Sequence, residues 1–238
     1  MDAILGGFIW ILDASNWEGR DGIATRLMEH VGFSATAVLA ALAIALPVGL
    51  WIGHTGRLAF LAVNLANLGR AIPSYAVMAM IFPISLSYAR DFGLGVIPTF
   101  LAMAVLAIPP VIVNAYTGIR EVDRDMVEAG RGVGMREREI LTRLELPIAL
   151  PVIVGGIRTA TVQVVATATL GAFFGTGGLG RYLADGIARR DFDRVWAGVI
   201  LVAALAVTTE LVLAFVQRRL TSPGLARAER PIAGASAT

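Results

Sequence analysis

The sequence lacks cysteine and lysine altogether, and its only two histidines, His30 and His54, lie far apart along the chain. The lack of cysteine excludes disulfide frameworks, thiolate metal sites and cysteine nucleophiles. Two separated histidines make a poor set of metal ligands, and without lysine the phosphate-binding pattern GxxxxGK[ST] cannot occur. We therefore predict that the chain is not an enzyme and that it binds no metal and no cofactor of its own.

Charged residues are also scarce. They make up 16% of the 238 residues, whereas hydrophobic residues make up 56%; soluble proteins have about 25% charged and about 45–50% apolar residues. This composition excludes a water-soluble enzyme, because so few charges cannot cover a whole surface, and it excludes a disordered or fibrous chain. The net charge is only +2 and the basic residues form no contiguous patch, so we predict no nucleic-acid partner.

The sequence contains long apolar runs instead. A helix needs about 20 apolar residues to cross a bilayer, and five runs reach that length, near 32–53, 59–88, 95–118, 149–173 and 195–217. They show no strict alternation and are too long for barrel strands, so we predict an all-α, polytopic membrane protein. The second run is the longest, and we expect a kink near residues 70–73, because Pro73 cannot donate a backbone hydrogen bond.

These runs place a transmembrane domain at 31–217, after an N-terminal extracytoplasmic or interfacial segment at 1–30 and before a tail at 218–238. Five spans put the termini on opposite sides of the cytoplasmic membrane. Eleven arginines lie on the side that carries the tail and seven on the other, so the positive-inside rule predicts an outside N-terminus and a cytoplasmic tail. Residues 4–12 are too short to span, and we expect them to lie at the membrane interface.

The long polar loop at 119–147 repeats apolar residues with helical spacing. Asp123 or Asp125 can cap a first short helix, and Gly134 can adopt the positive φ that ends it. A second helix then runs over 135–146, and Pro147 either stops it or starts the next span. We predict a compact helix–turn–helix on the cytoplasmic side; a solvated linker is the alternative.

Three groups of residues in this loop keep a fixed spacing. Glu128-Ala129-Gly130 is followed after three residues by Gly134, and after nine more by Leu144-Glu145-Leu146-Pro147. This spacing resembles the EAA loop of ABC-importer permeases, whose pattern is EAA, three residues, G, nine residues and I-x-LP; Gly130 and Leu144 depart from it. The resemblance covers about residues 31–220 and implies the type I ABC-importer permease fold.

In that family the loop docks into a groove of the cytoplasmic ATPase, so we name residues 119–147 the coupling loop. The residues that the resemblance assigns to coupling are Glu128, Ala129, Gly130, Gly134, Leu144, Leu146 and Pro147. The family also implies the partners: an ABC ATPase dimer that binds ATP and Mg²⁺, a second permease, identical or paralogous, and an extracytoplasmic substrate-binding protein. An ion-coupled secondary transporter in the lipid bilayer is the alternative from another class, but such a protein needs no docking loop.

Three further segments resemble the osmoprotectant branch of these permeases. They are Ile72-Pro73-Ser74, the run from Pro109 through Asn114 to Ile119, and Gly175-Thr176-Gly177-Gly178-Leu179-Gly180. This branch carries glycine betaine, choline, carnitine or proline. Methionine-type permeases share part of the glycine-rich segment, so a methionine- or sulfonate-type permease is the alternative within the family.

Several residues within or beside the spans, most of them polar, are candidates for the translocation path or for an intramembrane lock. They are Arg70, Pro73, Ser74, Asn114, Arg158 and Glu210. Because charges inside a membrane are costly, we expect Glu210 to pair with Arg70 or Arg158, with a carboxylate on the substrate path as the alternative. Gly177, Gly178 and Gly180 precede a polar outer loop, and we expect them to contact the binding protein; a plain surface loop is the alternative.

Overall fold

The computed structural model describes residues 2–60, 64, 73–88 and 95–220, and these residues contain helices and no strand. The helices are α1 Asp2–Leu12, α2 Ile23–Thr55, α3 Ser74–Tyr88, α4 Val96–Arg120, α5 Arg124–Gly132, α6 Leu146–Gly171, α7 Gly180–Arg189 and α8 Phe192–Leu220. A short α-helical segment at Glu137–Glu139 and a π-helix at Ile140–Glu145 lead into α6. The all-α prediction is confirmed.

Four helical segments of the described residues are long and apolar enough to cross a membrane: α2, α4, Glu137–Phe174 and α8. They contain the spans predicted at 32–53, 95–118, 149–173 and 195–217. Of the span predicted at 59–88, the structure describes mainly the last part, which forms α3. Arg70 and the kink expected beside it lie outside the described residues.

Helix α2 begins at Ile23, earlier than the predicted start near residue 32. Its first turns contain Arg26, Glu29 and His30, which look like a loop in the sequence. Each of these side chains has a partner in the structure: Arg26 pairs with Glu29 at 2.8 Å, and His30 Nε2 lies 2.9 Å from the Val165 carbonyl oxygen. Paired polar groups are tolerated in an apolar helix, so α2 starts before the predicted span and contains it, and the boundary of the span itself remains a prediction.

The centre of the molecule is formed by α2, α4 and α6, with α4 packed against both of the others. Small residues let the helices approach closely. A Cβ atom at Gly49 would lie 2.7 Å from Ala115 Cβ, and one at Gly53 would lie 2.7 Å from Ile119 Cβ. The two glycines are four residues apart and so share one face of α2, where they bring its inner half against α4.

Gly53→Leu should destabilise the chain by about 1–3 kcal/mol, because a larger side chain at this position must push α2 away from α4. Thermal unfolding of the detergent-purified chain would show the loss as a lower midpoint temperature. Gly32→Leu is the matched control, since a Cβ at Gly32 on the same helix meets nothing within 4 Å. Equal midpoints for the two variants would contradict this packing.

Helix α1 lies against the start of α8. A Cβ at Gly7 would lie 2.8 Å from Trp196 Cβ, and the Trp10 ring meets the Tyr182 ring edge-on at 5.1 Å. The opposite side of α1 is apolar and open, with Leu5, Ile9 and Leu12 exposed. Its expected position at the membrane interface remains a prediction.

Candidate functional site: the coupling loop and the polar contacts of the spans

The coupling loop folds as the predicted helix–turn–helix, with α5 as its first helix. Asp123 Oδ1 accepts a hydrogen bond from the Asp125 N–H at 2.8 Å and so caps the start of α5. At the other end, the Met135 N–H donates to the Gly130 carbonyl and the Gly134 N–H to the Arg131 carbonyl, both at 3.0 Å. This pair of bonds is a Schellman motif, which satisfies the last carbonyls of the helix.

Gly134 has a φ of +89°, as the sequence predicts. A Cβ atom at this position would meet nothing within 4 Å, so the chain itself leaves open space beside the turn. At Gly130, where the family pattern has alanine, a Cβ would lie 3.4 Å from Met135 Sδ. That is an ordinary van der Waals distance, so this departure from the pattern leaves the turn intact.

The coupling loop has a buried underside and an open outer face. Val122, Val127 and Ile140 are buried together on the underside. Of the residues assigned to coupling, Gly130 is buried, Leu144 and Leu146 are half-buried, and the rest are exposed: Glu128, Ala129, Gly134 and Pro147. The outer face is therefore available for another protein.

Pro147 starts the next span and does not stop the helix before it. It is the second residue of α6 and directly follows the π-helix Ile140–Glu145, so the N–H that proline lacks falls where the hydrogen-bond pattern already changes from π to α. The helical segment is therefore continuous from Glu137 to Phe174. The sequence left open whether Pro147 stops the second helix of the coupling loop or starts the next span, and in the structure it starts the span.

Carboxylates and bases form a chain of contacts between the coupling loop and α2. Arg131 Nε and Nη2 donate to the two carboxylate oxygens of Glu137 at 2.9 and 3.1 Å. His54, in the last turn of α2, has Nε2 3.2 Å from Glu137 Oε2 and Nδ1 2.5 Å from Glu145 Oε2. The hydrogen bonds that Arg131 donates to Glu137 raise the pKa of the Arg131 guanidinium above its usual value. Sequence reasoning missed the role of His54, because its partners lie far along the chain.

A second polar contact joins α6 to α8 within the spans. Arg158 Nε lies 3.0 Å from Glu210 Oε1, and Arg158 Nη1 donates to Gln217 Oε1 at 2.7 Å. Gln217 Nε2 in turn donates to the Pro151 carbonyl at 2.8 Å. Glu210 thus has Arg158 as its partner, one of the two expected, while the role of this pair in transport remains a prediction.

The other path candidates lie in two places. Asn114 Nδ2 donates to the Pro110 carbonyl at 2.8 Å within α4, and a Cβ at Gly156 of α6 would lie 3.0 Å from Asn114 Nδ2. Asn114 therefore faces the α4–α6 contact. Pro73 is exposed just before α3, and Ser74 is its first residue. Whether these residues line a path for substrate remains a prediction.

The glycine-rich segment packs against the start of α2 and against α6. The Gly178 N–H donates to Glu29 Oε2 at 2.8 Å, and a Cβ at Gly180 would lie 2.9 Å from Thr169 Cα. Gly178 and Gly180 are buried and Gly177 is half-buried. Contacts within the chain therefore explain why glycine is needed at positions 178 and 180. Of the three glycines, only Gly177 is partly exposed. A contact of this segment with a binding protein remains a prediction.

A cavity of about 310 Å³ lies between the N-terminal segment and α7–α8. Both acidic and basic side chains line it, including Glu18, Asp21, Asp185 and Arg189. Nearby, the buried Tyr182 hydroxyl donates to the Asp21 carbonyl at 2.8 Å, and burial raises the pKa of Tyr182 to about 12. The hydroxyl therefore stays a donor to the N-terminal segment at higher pH than the hydroxyl of an exposed tyrosine would.

Comparison with known proteins finds relatives that are all membrane components of transport systems. The family model described as "binding-protein-dependent transport system inner membrane component" matches residues 45–222. The choline transport system permease protein OpuBB of Bacillus subtilis (strain 168) is 34% identical over 199 residues, which cover 84% of this chain and 88% of that protein. The osmoprotectant import permease protein OsmW of Salmonella typhimurium is 34% identical over 203 residues, covering 85% and 94%.

Among solved structures, a chain of the inward-facing MetNI methionine ABC transporter superposes with a TM-score of 0.70. The match covers 84% of this chain and 97% of that one at 20% sequence identity. An amino acid ABC transporter superposes with a TM-score of 0.65 at 17% identity. At these identities the likeness shows the fold alone, and the fold is the one expected from the coupling loop.

Proposed function

The chain belongs to the family of binding-protein-dependent transport system inner membrane components, and from this premise we propose that it is the permease subunit of an ABC importer of osmoprotectants. The expected cargo is glycine betaine, choline, carnitine or proline. The observation that carries the proposal is sequence similarity over most of the chain to permeases named for choline, for glycine betaine/carnitine/choline and for carnitine. The likeness to the methionine transporter supports the fold and leaves the cargo open.

The outer face of the coupling loop is the proposed contact with the ATPase. Glu128 and Ala129 are exposed on α5, and the buried underside holds that helix against the spans. A short helix supported in this way can enter a groove and transmit a movement. ATP and Mg²⁺ then bind to the ATPase dimer, and this chain supplies the path across the membrane together with a second permease, identical or paralogous.

The two ends of α2 give the proposed orientation in the cytoplasmic membrane. Its start contacts the glycine-rich segment at Gly178, and its end contacts the coupling loop at Glu145. Arginines are concentrated in the coupling loop and the tail, so we place that end and the C-terminus in the cytoplasm and the N-terminus outside. The cavity beside Asp21 and Asp185 then opens toward the substrate-binding protein.

The cargo class agrees with the sparse charge of the spans. Betaine, carnitine and proline are zwitterions with little net charge, so they need no compensating charge along a path. The Arg158 and Glu210 charges are paired with each other at 3.0 Å. If a separate binding protein selects the substrate, this chain needs no high-affinity substrate site of its own.

We expect uptake of labelled glycine betaine into proteoliposomes that contain the permease, its ATPase and its binding protein, and we expect this uptake to require ATP. Unlabelled choline, carnitine or proline should compete, because the relatives are named for such solutes. The purified permease alone is the control and should hydrolyse no ATP.

Two outcomes would contradict the proposal in different ways. ATP-driven uptake of methionine or an aliphatic sulfonate, with all four osmolytes ignored, would overturn the cargo and leave the importer. Uptake driven by an ion gradient with no ATPase present would overturn the importer and favour a secondary transporter.

A further inference from the structure

The coupling loop meets the last turn of α2 at the His54 ring, which contacts one carboxylate with each nitrogen. Nδ1 lies 2.5 Å from Glu145 Oε2, and Nε2 lies 3.2 Å from Glu137 Oε2. Only 13% of the His54 side chain is exposed, and 3% of that of Glu145. The ring is therefore held between the two carboxylates, away from competing water.

The two contacts differ in kind. The Nδ1 contact with Glu145 is a hydrogen bond, whereas the Nε2 contact with Glu137 is a longer, electrostatic one. Both carboxylates belong to the coupling loop, so the ring connects that loop to α2 at two points.

The bridge continues on both sides into structural elements. On the coupling-loop side, Glu137 holds Arg131 of α5 through two hydrogen bonds, at 2.9 and 3.1 Å. On the other side, His54 directly follows Gly53, one of the two glycines at which α2 packs tightly against α4. Arg131, Glu137 and His54 therefore form an unbroken series of contacts from α5 to the packed centre of the molecule.

We infer that His54 is a positioning residue that fastens the coupling loop to α2, so that movement of the ATPase reaches the spans. The inference rests on the proposed function, because it concerns how the importer couples ATP hydrolysis to transport. Its first test is independent of cargo. His54→Ala should raise amide hydrogen exchange about tenfold in residues 124–139, through more frequent local opening, while residues 96–115 of α4 exchange as before.

The second test separates coupling from stability. In the reconstituted complex, His54→Ala should lower betaine uptake per ATP hydrolysed several-fold while ATP hydrolysis itself continues. Because His54→Ala leaves Glu145 buried without its partner and could impair folding, Glu137→Gln provides a second variant at a side chain that is 59% exposed. Glu139→Gln is the matched control, since Glu139 pairs with Arg143, and it should couple like the wild type.

A cross-link should restore what the substitution removes. The chain has no cysteine, so His54→Cys with Glu137→Cys introduces its only two thiols. Joining them with a short, reducible, thiol-reactive linker should recover both slow exchange and coupled uptake, and reduction of the linker should abolish both. A merely structural loss at His54 would not respond to the linker in this reversible way.

The outcomes distinguish the inference from the proposed function. Wild-type exchange and wild-type uptake per ATP in both His54→Ala and Glu137→Gln would overturn the inference, and so would an equal effect of Glu139→Gln. If the wild-type complex takes up no osmolyte with ATP, the proposed function fails. In that case hydrogen exchange, with and without the linker, still decides whether His54 fastens the coupling loop.

Discussion

Gly134→Asp should reduce ATP-driven uptake by about tenfold or more, while the amount of chain in the membrane stays at the wild-type level. The substitution puts a side chain at a φ of +89°, a conformation that aspartate tolerates better than most residues. No other atom of the chain lies within 4 Å of the new Cβ. The positive φ strains any side chain at this turn, but the Gly19 control below carries the same strain, so the additional loss at Gly134 arises where the ATPase approaches the turn.

The chain offers a matched control at its opposite end. Gly19 also has a positive φ, of +84°, and a Cβ there likewise meets nothing within 4 Å. Gly19→Asp therefore makes the same chemical change with the same backbone demand, away from the ATPase, and should transport normally. Equal transport by Gly134→Asp and wild type, at equal expression, would contradict docking at this turn. Gly134→Asn, which lacks the charge, would separate bulk from electrostatic repulsion.

Arg158→Leu should lower the stability of the folded chain by about 2–3 kcal/mol, because it leaves Glu210 as an uncompensated charge in the membrane. The single variant should unfold at a lower temperature in detergent and should accumulate poorly in membranes. The double variant with Glu210→Leu removes both charges, so it should regain most of that stability. Arg143→Leu is the control, since the Arg143–Glu139 pair is exposed and its atoms are 3.5 Å apart.

Uptake by the double variant distinguishes the two roles considered for Glu210. If the pair is a lock between α6 and α8, the stable double variant should also transport. If Glu210 acts on the substrate path, the double variant should be stable and inactive. A single Arg158→Leu variant as stable as the wild type would contradict the lock, because the contact would then contribute nothing to the membrane-embedded fold.

Local patterns in the sequence predicted the coupling loop well. The turn at Gly134 depends on residues within a few positions of it, and a glycine after a short amphipathic helix indicates such a turn directly. The spans could also be predicted from the sequence, because bilayer thickness sets the length of an apolar helix. The start of α2 could not be predicted, because Arg26, Glu29 and His30 look like the end of an apolar span as long as their partners are unknown.

Contacts between distant residues were beyond the reach of sequence reasoning. His54 and Glu145 are separated by 91 positions, and no periodic or local rule connects a histidine at one helix end with a glutamate in another loop. The resemblance assigned Leu144, Leu146 and Pro147 to coupling but not the glutamate between them. Similarly, Asn114 was singled out by its motif, whereas its orientation toward Gly156 depends on how α4 packs against α6.

The continuous helical segment Glu137–Phe174 has a mechanical consequence. Its 38 residues make a rod of about 57 Å at about 1.5 Å per residue, with the coupling loop at one end and the glycine-rich segment at the other. A straight segment of that length would turn a tilt of about 5° at the coupling loop into a displacement of about 5 Å at the glycine-rich segment. The π-helix Ile140–Glu145 and Pro151 lie near the coupling loop, and helices bend at such features. The stiffness of this short stretch therefore sets how much of the displacement reaches the other end of the segment.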